Sequence, residues 1–187
     1  MTRVILLEQL KVFTEDVTRE ILLPVQMQEK DESQPPDRAA SVYVPRLPKL
    51  SAYKQKAPFI THESVTSKDI LTQAPNGYQF MQASAVVRSC FCVYHPNEQE
   101  GGLALLNLME RLRIALLETV VIGKQFTLDV KAGVETLVYP SNPNQTASSL
   151  FYLGEMITVW KIKGIERKVI DDEEGHGHIR KDEYDRR

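Results

Sequence analysis

From Ala83 to Ile122 a β-rich run, a proline and glycine break and an amphipathic helix follow one another, and no other segment limits the fold so tightly. Ala85-Val86-Val87-Arg88-Ser89-Cys90-Phe91-Cys92-Val93-Tyr94 is dense in β-branched and aromatic residues, which pack well on a pleated surface. His95-Pro96-Asn97-Glu98-Gln99-Glu100-Gly101-Gly102 breaks the run, and a helix begins at Leu103-Ala104-Leu105-Leu106. At roughly 100° per residue, Leu105, Leu108, Met109, Leu112 and Leu116 cluster on one helix face, which should meet a sheet. Leu106 and Leu117 lie beside that face, just past Arg113, and widen the apolar arc to nearly half the circumference. A single sheet contact seldom needs so wide an arc, so a second neighbour is expected. Gly123, followed by Lys124, fits the C-terminal stop of the helix.

The same periodicity arguments place the remaining elements. Leu6, Leu10, Phe13, Val17 and Ile21 form the apolar stripe of an N-terminal helix that Pro24 ends or kinks. A long polar loop spans residues 26 to 56 and includes Pro35-Pro36; within it Ala40 to Val44 reads as a strand that Pro45 and Pro48 confine to a sheet edge. Ala57 to Val65 reads as a strand, Ser67 to Tyr78 as an exposed loop, and Gln82 to Tyr94 as a central strand. Two short strands, Phe126 to Val130 and Glu135 to Tyr139, precede a turn at Pro140-Ser141-Asn142-Pro143-Asn144. The last strand, Leu150 to Ile162, has no plainly polar face, so both faces are expected to be covered. These elements predict one domain over residues 1 to 169, with the long amphipathic helix packed on a sheet. Residues 170 to 187 read as a charged, flexible tail, too poor in apolar groups to offset the entropy of ordering.

Composition narrows the function classes. With 23 basic and 25 acidic residues, no electrostatic footprint points to sequence-specific nucleic-acid binding or to an anionic membrane. No apolar run approaches the roughly 20 residues that cross a bilayer, and no signal peptide is apparent, so a soluble protein made in a cytoplasm is expected. Cys90 and Cys92 lie two apart on one strand, where bridging is disfavoured, and are expected to be reduced and buried. With His62, His95, His176 and His178 they form no recognised ligand pattern, so neither a metal nor a cofactor is expected.

Catalytic motifs are sparse. No Gly-x-Ser-x-Gly elbow occurs. The Gly101-Gly102 turn lacks the lysine of a phosphate-binding loop, and Glu98 and Glu100 beside it would repel phosphate. Glu63, Glu98, Glu100, Glu110, Glu135 and Glu155 form no convincing acid and base pair, and His95 reads as a turn-capping residue before it reads as a base. No catalytic residue is assigned, and the weight shifts to assembly.

The order of elements resembles the tail terminator, or tail completion, family of long-tailed bacteriophages and related tail-like particles. The residues that carry the resemblance are Ala57-Pro58-Phe59-Ile60, the Val86 to Tyr94 strand leading into Gly101-Gly102, the helical segment Leu105-Leu106-Asn107-Leu108-Met109-Glu110-Arg111-Leu112-Arg113, and Tyr152-Leu153-Gly154-Glu155 with Trp160. It covers roughly residues 40 to 162. The resemblance implies an α/β (α+β) fold, a mixed, mostly antiparallel sheet with the N-terminal helix and the long amphipathic helix on one face, and a structural virion protein of the tail or neck, assembled in the host cytoplasm and not an enzyme. Its members form a six-membered ring on the finished tail tube, stop polymerisation of the tube protein and dock to the head-tail connector protein, with DNA able to pass through the ring. A closed ring needs two different patches per subunit, and Leu106, Arg113 and Leu117 are the candidates for one of them. Core packing explains Leu106 and Leu117 equally well at this stage. A head-tail adaptor of the same particle and, further off, a small cytoplasmic enzyme remain the rival readings.

Overall fold

A computed structural model of the chain describes residues 2–27, 33–48, 57–73, 79–139 and 150–163. Helix α1 spans Arg3–Thr18, capped by Thr2, whose hydroxyl accepts from the Ile5 N–H at 3.4 Å. The strands are β1 (Ser41–Tyr43), β2 (Phe59–Gln73), β3 (Gln79–Tyr94), β4 (Val121–Ile122), β5 (Phe126–Leu128), β6 (Val134–Val138) and β7 (Phe151–Lys163); helix α2 (Glu98–Thr119) lies between β3 and β4. Among the described residues the sheet has seven strands in the order β1-β2-β3-β7-β5-β4, with β6 pairing the same side of β7 as β5. The β1–β2 pair is parallel, and all the others are antiparallel. The fold is the α+β architecture expected, with β1 at the sheet edge and β3 in the interior between β2 and β7.

Both helices pack on one face of this sheet. Ile60 of β2, Val87, Phe91 and Val93 of β3, and Met156, Trp160 and Ile162 of β7 point at Leu6 and Leu10 of α1 and at Leu105, Leu108, Leu112 and Leu116 of α2, forming one core. Each such side chain, fully buried, contributes on the order of 2 kcal/mol.

Several expectations need correction. Residues 67–73 are not a loop: they extend β2 in register with β3, pairing Ser67 with Ala85 and Thr72 with Phe80. The ladder to β3 imposes strand geometry on a segment whose own pattern gives no period. Helix α2 begins at Glu98, not Leu103, so the supposed break is its first turn: Asn97 caps it, the Asn97 Oδ1 accepting from the Gln99 N–H at 2.9 Å. Helix α2 stops at Thr119 with Val120 at φ 57°, and Gly123, also at φ 57°, turns β4 into β5 instead of ending the helix. In α1 the buried line runs through Leu6, Leu10, Thr14 and Thr18, leaving Phe13, Val17 and Ile21 half-buried at its flank. The two faces of β7 are covered unequally: Tyr152, Met156, Thr158, Trp160 and Ile162 are buried, whereas on the opposite face Phe151, Glu155, Ile157, Val159 and Lys161 are half-buried and Leu153 is exposed. Cys92 is buried as expected, but Cys90 is only half-buried. The turns at Pro75-Asn76-Gly77 and Pro140 to Asn144 and the tail 170–187, with His176 and His178, lie outside the described residues.

Candidate functional site

Helix α2 carries a core face and, opposite it, an exposed arc on which three apolar side chains surround Glu110. Opposite its core face, Leu103 is 68% exposed and Leu106 and Ile114 are each 46% exposed, and all three fall within a third of the circumference. Of the three candidate contact residues, Leu106 lies wholly on this outward stripe. Arg113 borders it and is held by Glu110, whose carboxylate accepts from Nε at 3.0 Å and from a terminal nitrogen at 2.8 Å. Leu117 is half-buried and packs against the core, so it belongs to both surfaces. The signal for Leu103 and Ile114 was present in the sequence at the helical spacing, but the wide arc drew attention to the residues nearest the core.

The helix-free face of the sheet is the second open surface. On it Arg88 of β3 donates from Nε to the Glu63 carboxylate of β2 at 2.6 Å and lies 3.9 Å from the Glu155 carboxylate of β7. Hydrogen bonding to Glu63, then its charge, raise the Arg88 pKa above its usual value. Cys90 approaches Glu155 at 3.9 Å; burial foremost, then that carboxylate, push its thiol upward in pKa, and burial pushes Cys92 to about 12. Both thiols are therefore protonated at neutral pH and poor nucleophiles. This array ties three strands together and keeps two carboxylates beside a fixed cation.

A serine and histidine pair lies in the interior. The His62 ring bonds the Ser89 hydroxyl through Nδ1 at 2.8 Å and the Thr14 hydroxyl through Nε2 at 3.0 Å, and Thr18 in turn donates to the Thr14 carbonyl at 2.8 Å. Burial lowers the His62 pKa to about 3, so the ring is neutral, one nitrogen donating and the other accepting. Ser89 and His62 are both sealed from solvent, and the histidine links α1 to the sheet. Sequence reading passed over this network, because Thr14, His62 and Ser89 share no local motif.

The Gly101-Gly102 segment is equally occupied by packing. A Cβ on Gly101 would overlap the Tyr152 ring, which lies over the first turn of α2 and donates its hydroxyl to the Glu98 carbonyl at 3.1 Å. At the strand end, His95 accepts from the Asn97 N–H at 3.1 Å and lies 3.4 Å from Glu100, a turn-bracing role. A shallow hollow of about 310 Å³ between the C-terminal turns of α1 and α2 is lined by Asp16, Arg19, Glu20, Arg111, Ile114 and Glu118, among others, with no serine, cysteine or histidine. Among the described residues no group of three or more His, Cys, Asp or Glu side chains is placed to hold a metal, and no helix is long and apolar enough to cross a membrane.

No protein-family model matches the sequence, and no curated protein matches it significantly.

Proposed function

We propose that this protein is a ring-forming structural subunit of a phage-tail-like particle, a tail terminator that caps the tail tube, ends its polymerisation and offers a docking surface to the head connector. The observation that carries the reading is the outward stripe of α2: Leu103, Leu106 and Ile114 stay in water although the opposite side of the same helix fills the core. An apolar stripe of this kind is what a repeated subunit contact removes from water. The resemblance in element order supports the same reading, as does an α+β fold whose two α-helices, among the described residues, lie on one side of the sheet. In this role the protein works by occupying an end, without turnover and without a cofactor, and is carried in the virion.

Native mass spectrometry and negative-stain microscopy of the purified chain, with and without its tube protein, test the proposal. The expected result is a closed ring, six-membered on the family pattern, found at the ends of tubes. A chain that stays monomeric at all concentrations and never joins a tube overturns it.

A further inference from the structure

The sheet has two free edges, and they lie on opposite sides of it. Strand β1 pairs with β2 only at Phe59 to Thr61, so among the described residues the outer edge of β2 is unpaired from Glu63 to Gln73, roughly 35 Å at ~3.3 Å per residue. At the other side, the five residues of β6 pair with β7 along one edge and with no strand along the other among the described residues. Free edges of this length are usually blunted by charge, bulges or cover. Here β2 carries one bulge, between Ser64 and Thr66, and one lysine, yet Val65, Ile70 and Leu71 are exposed along it. Leu137 and Val138 are exposed on β6, and Tyr139 just beyond it.

We infer that the subunits of the ring join edge to edge, the β6 strand of one copy adding to the free β2 edge of the next; this rests on the ring reading above. Three features single out a second copy as the occupant. The first is strand sense: β2 runs antiparallel to β3, β3 to β7 and β7 to β6, so β2 and β6 run in opposite directions within a subunit. Rotation about a ring axis along the strands preserves both directions, and β6 therefore meets the neighbour's β2 as an antiparallel partner. The second is face: Glu135 is in register with Ile157, which pairs with Arg88, and Lys68 is in register with Ser84, four residues before Arg88. Lys68 and Glu135 thus stand on the same, helix-free face, and a sheet continued across the contact keeps that face continuous. The third is charge: Lys68 and Glu135 are both exposed and neither has an ion-pair partner among the described residues, while the antiparallel register that opposes them brings a cation to a carboxylate.

Charge reversal in the full-length chain tests the contact. Lys68→Glu and Glu135→Lys each place like charges opposite one another and should raise the concentration needed for half-assembly about fivefold. The double variant Lys68→Glu with Glu135→Lys should return it to within about twofold of the parent, since it restores the opposite-charge pair. Hydrogen exchange followed by mass spectrometry gives an independent readout: those amides of residues 64–71 that are not already bonded to β3 should be slow in the ring and fast in the isolated subunit. Rings whose assembly ignores both single reversals, or fails to recover in the double variant, or whose outward 64–71 amides exchange as fast as in the isolated subunit, overturn the edge pairing and leave the ring standing. A chain that forms no ring even with the tube protein overturns both.

Discussion

The interior histidine sets a measurable pH dependence. His62 sits between two hydroxyls with its pKa held near 3 by burial, whereas the unfolded chain binds a proton there near 6.5. The unfolded state takes up the proton that the folded state refuses, so this contribution is complete above pH 6.5 and is lost as pH falls from about 6.5 toward 3. Urea denaturation at pH 7 and pH 4.5 should show a smaller pH difference for His62→Gln than for the parent, with a cost at pH 7 of ~1–3 kcal/mol for the disturbed hydroxyl network. Equal pH differences would remove His62 as the cause. Adjacent glycines give a sharper contrast. Gly101→Ala drives a methyl into the Tyr152 ring and should cost ~1–3 kcal/mol, while Gly102, whose added Cβ meets open space within the same helix, should gain ~0.5–1 kcal/mol on substitution by alanine. Thermal melts of the two variants should move in opposite directions.

Helix α2 shows how far periodicity reads. Its core stripe, Leu105, Leu108, Met109, Leu112 and Leu116, is buried as the spacing required, because a 3.6-residue repeat states which side is apolar. Its start was misplaced, since proline and two glycines look like a break until Asn97 is seen capping the first turn and Tyr152 is seen filling the space above Gly101. Its two faces predict distinct variants. Leu112→Asp puts a carboxylate into the core and should unfold the subunit, a loss above ~4 kcal/mol. Leu106→Asp, on the outward stripe, should leave circular dichroism and melting unchanged while abolishing the proposed ring. Leu117→Asp should show both effects in part, because that side chain packs against the core and reaches the stripe. Misfolding of Leu106→Asp as severe as that of Leu112→Asp would dismiss the outward stripe as a contact surface. The distal end of β2 was missed for a different reason: Ser67-Lys68-Asp69-Ile70-Leu71 has no alternation, and its strand geometry comes from pairing with β3.

Taken as one body, the chain is a sheet with its two α-helices on one side and an ionic array, Glu63, Arg88 and Glu155, on the other. A one-sided wall with two free edges and a second greasy stripe is suited to packing against copies of itself. Chain order and apolar period were enough to predict two helices, the central strand and the burial of the α2 stripe, since these depend on neighbours a few residues apart. Strand order, the unequal burial of the two faces of β7, the strand at residues 67–73 and the sealed bond between His62 and Ser89 came only with the assembled fold. Each of them depends on groups distant along the chain, brought together by the ladders and the core, and no local pattern of residues encodes that meeting.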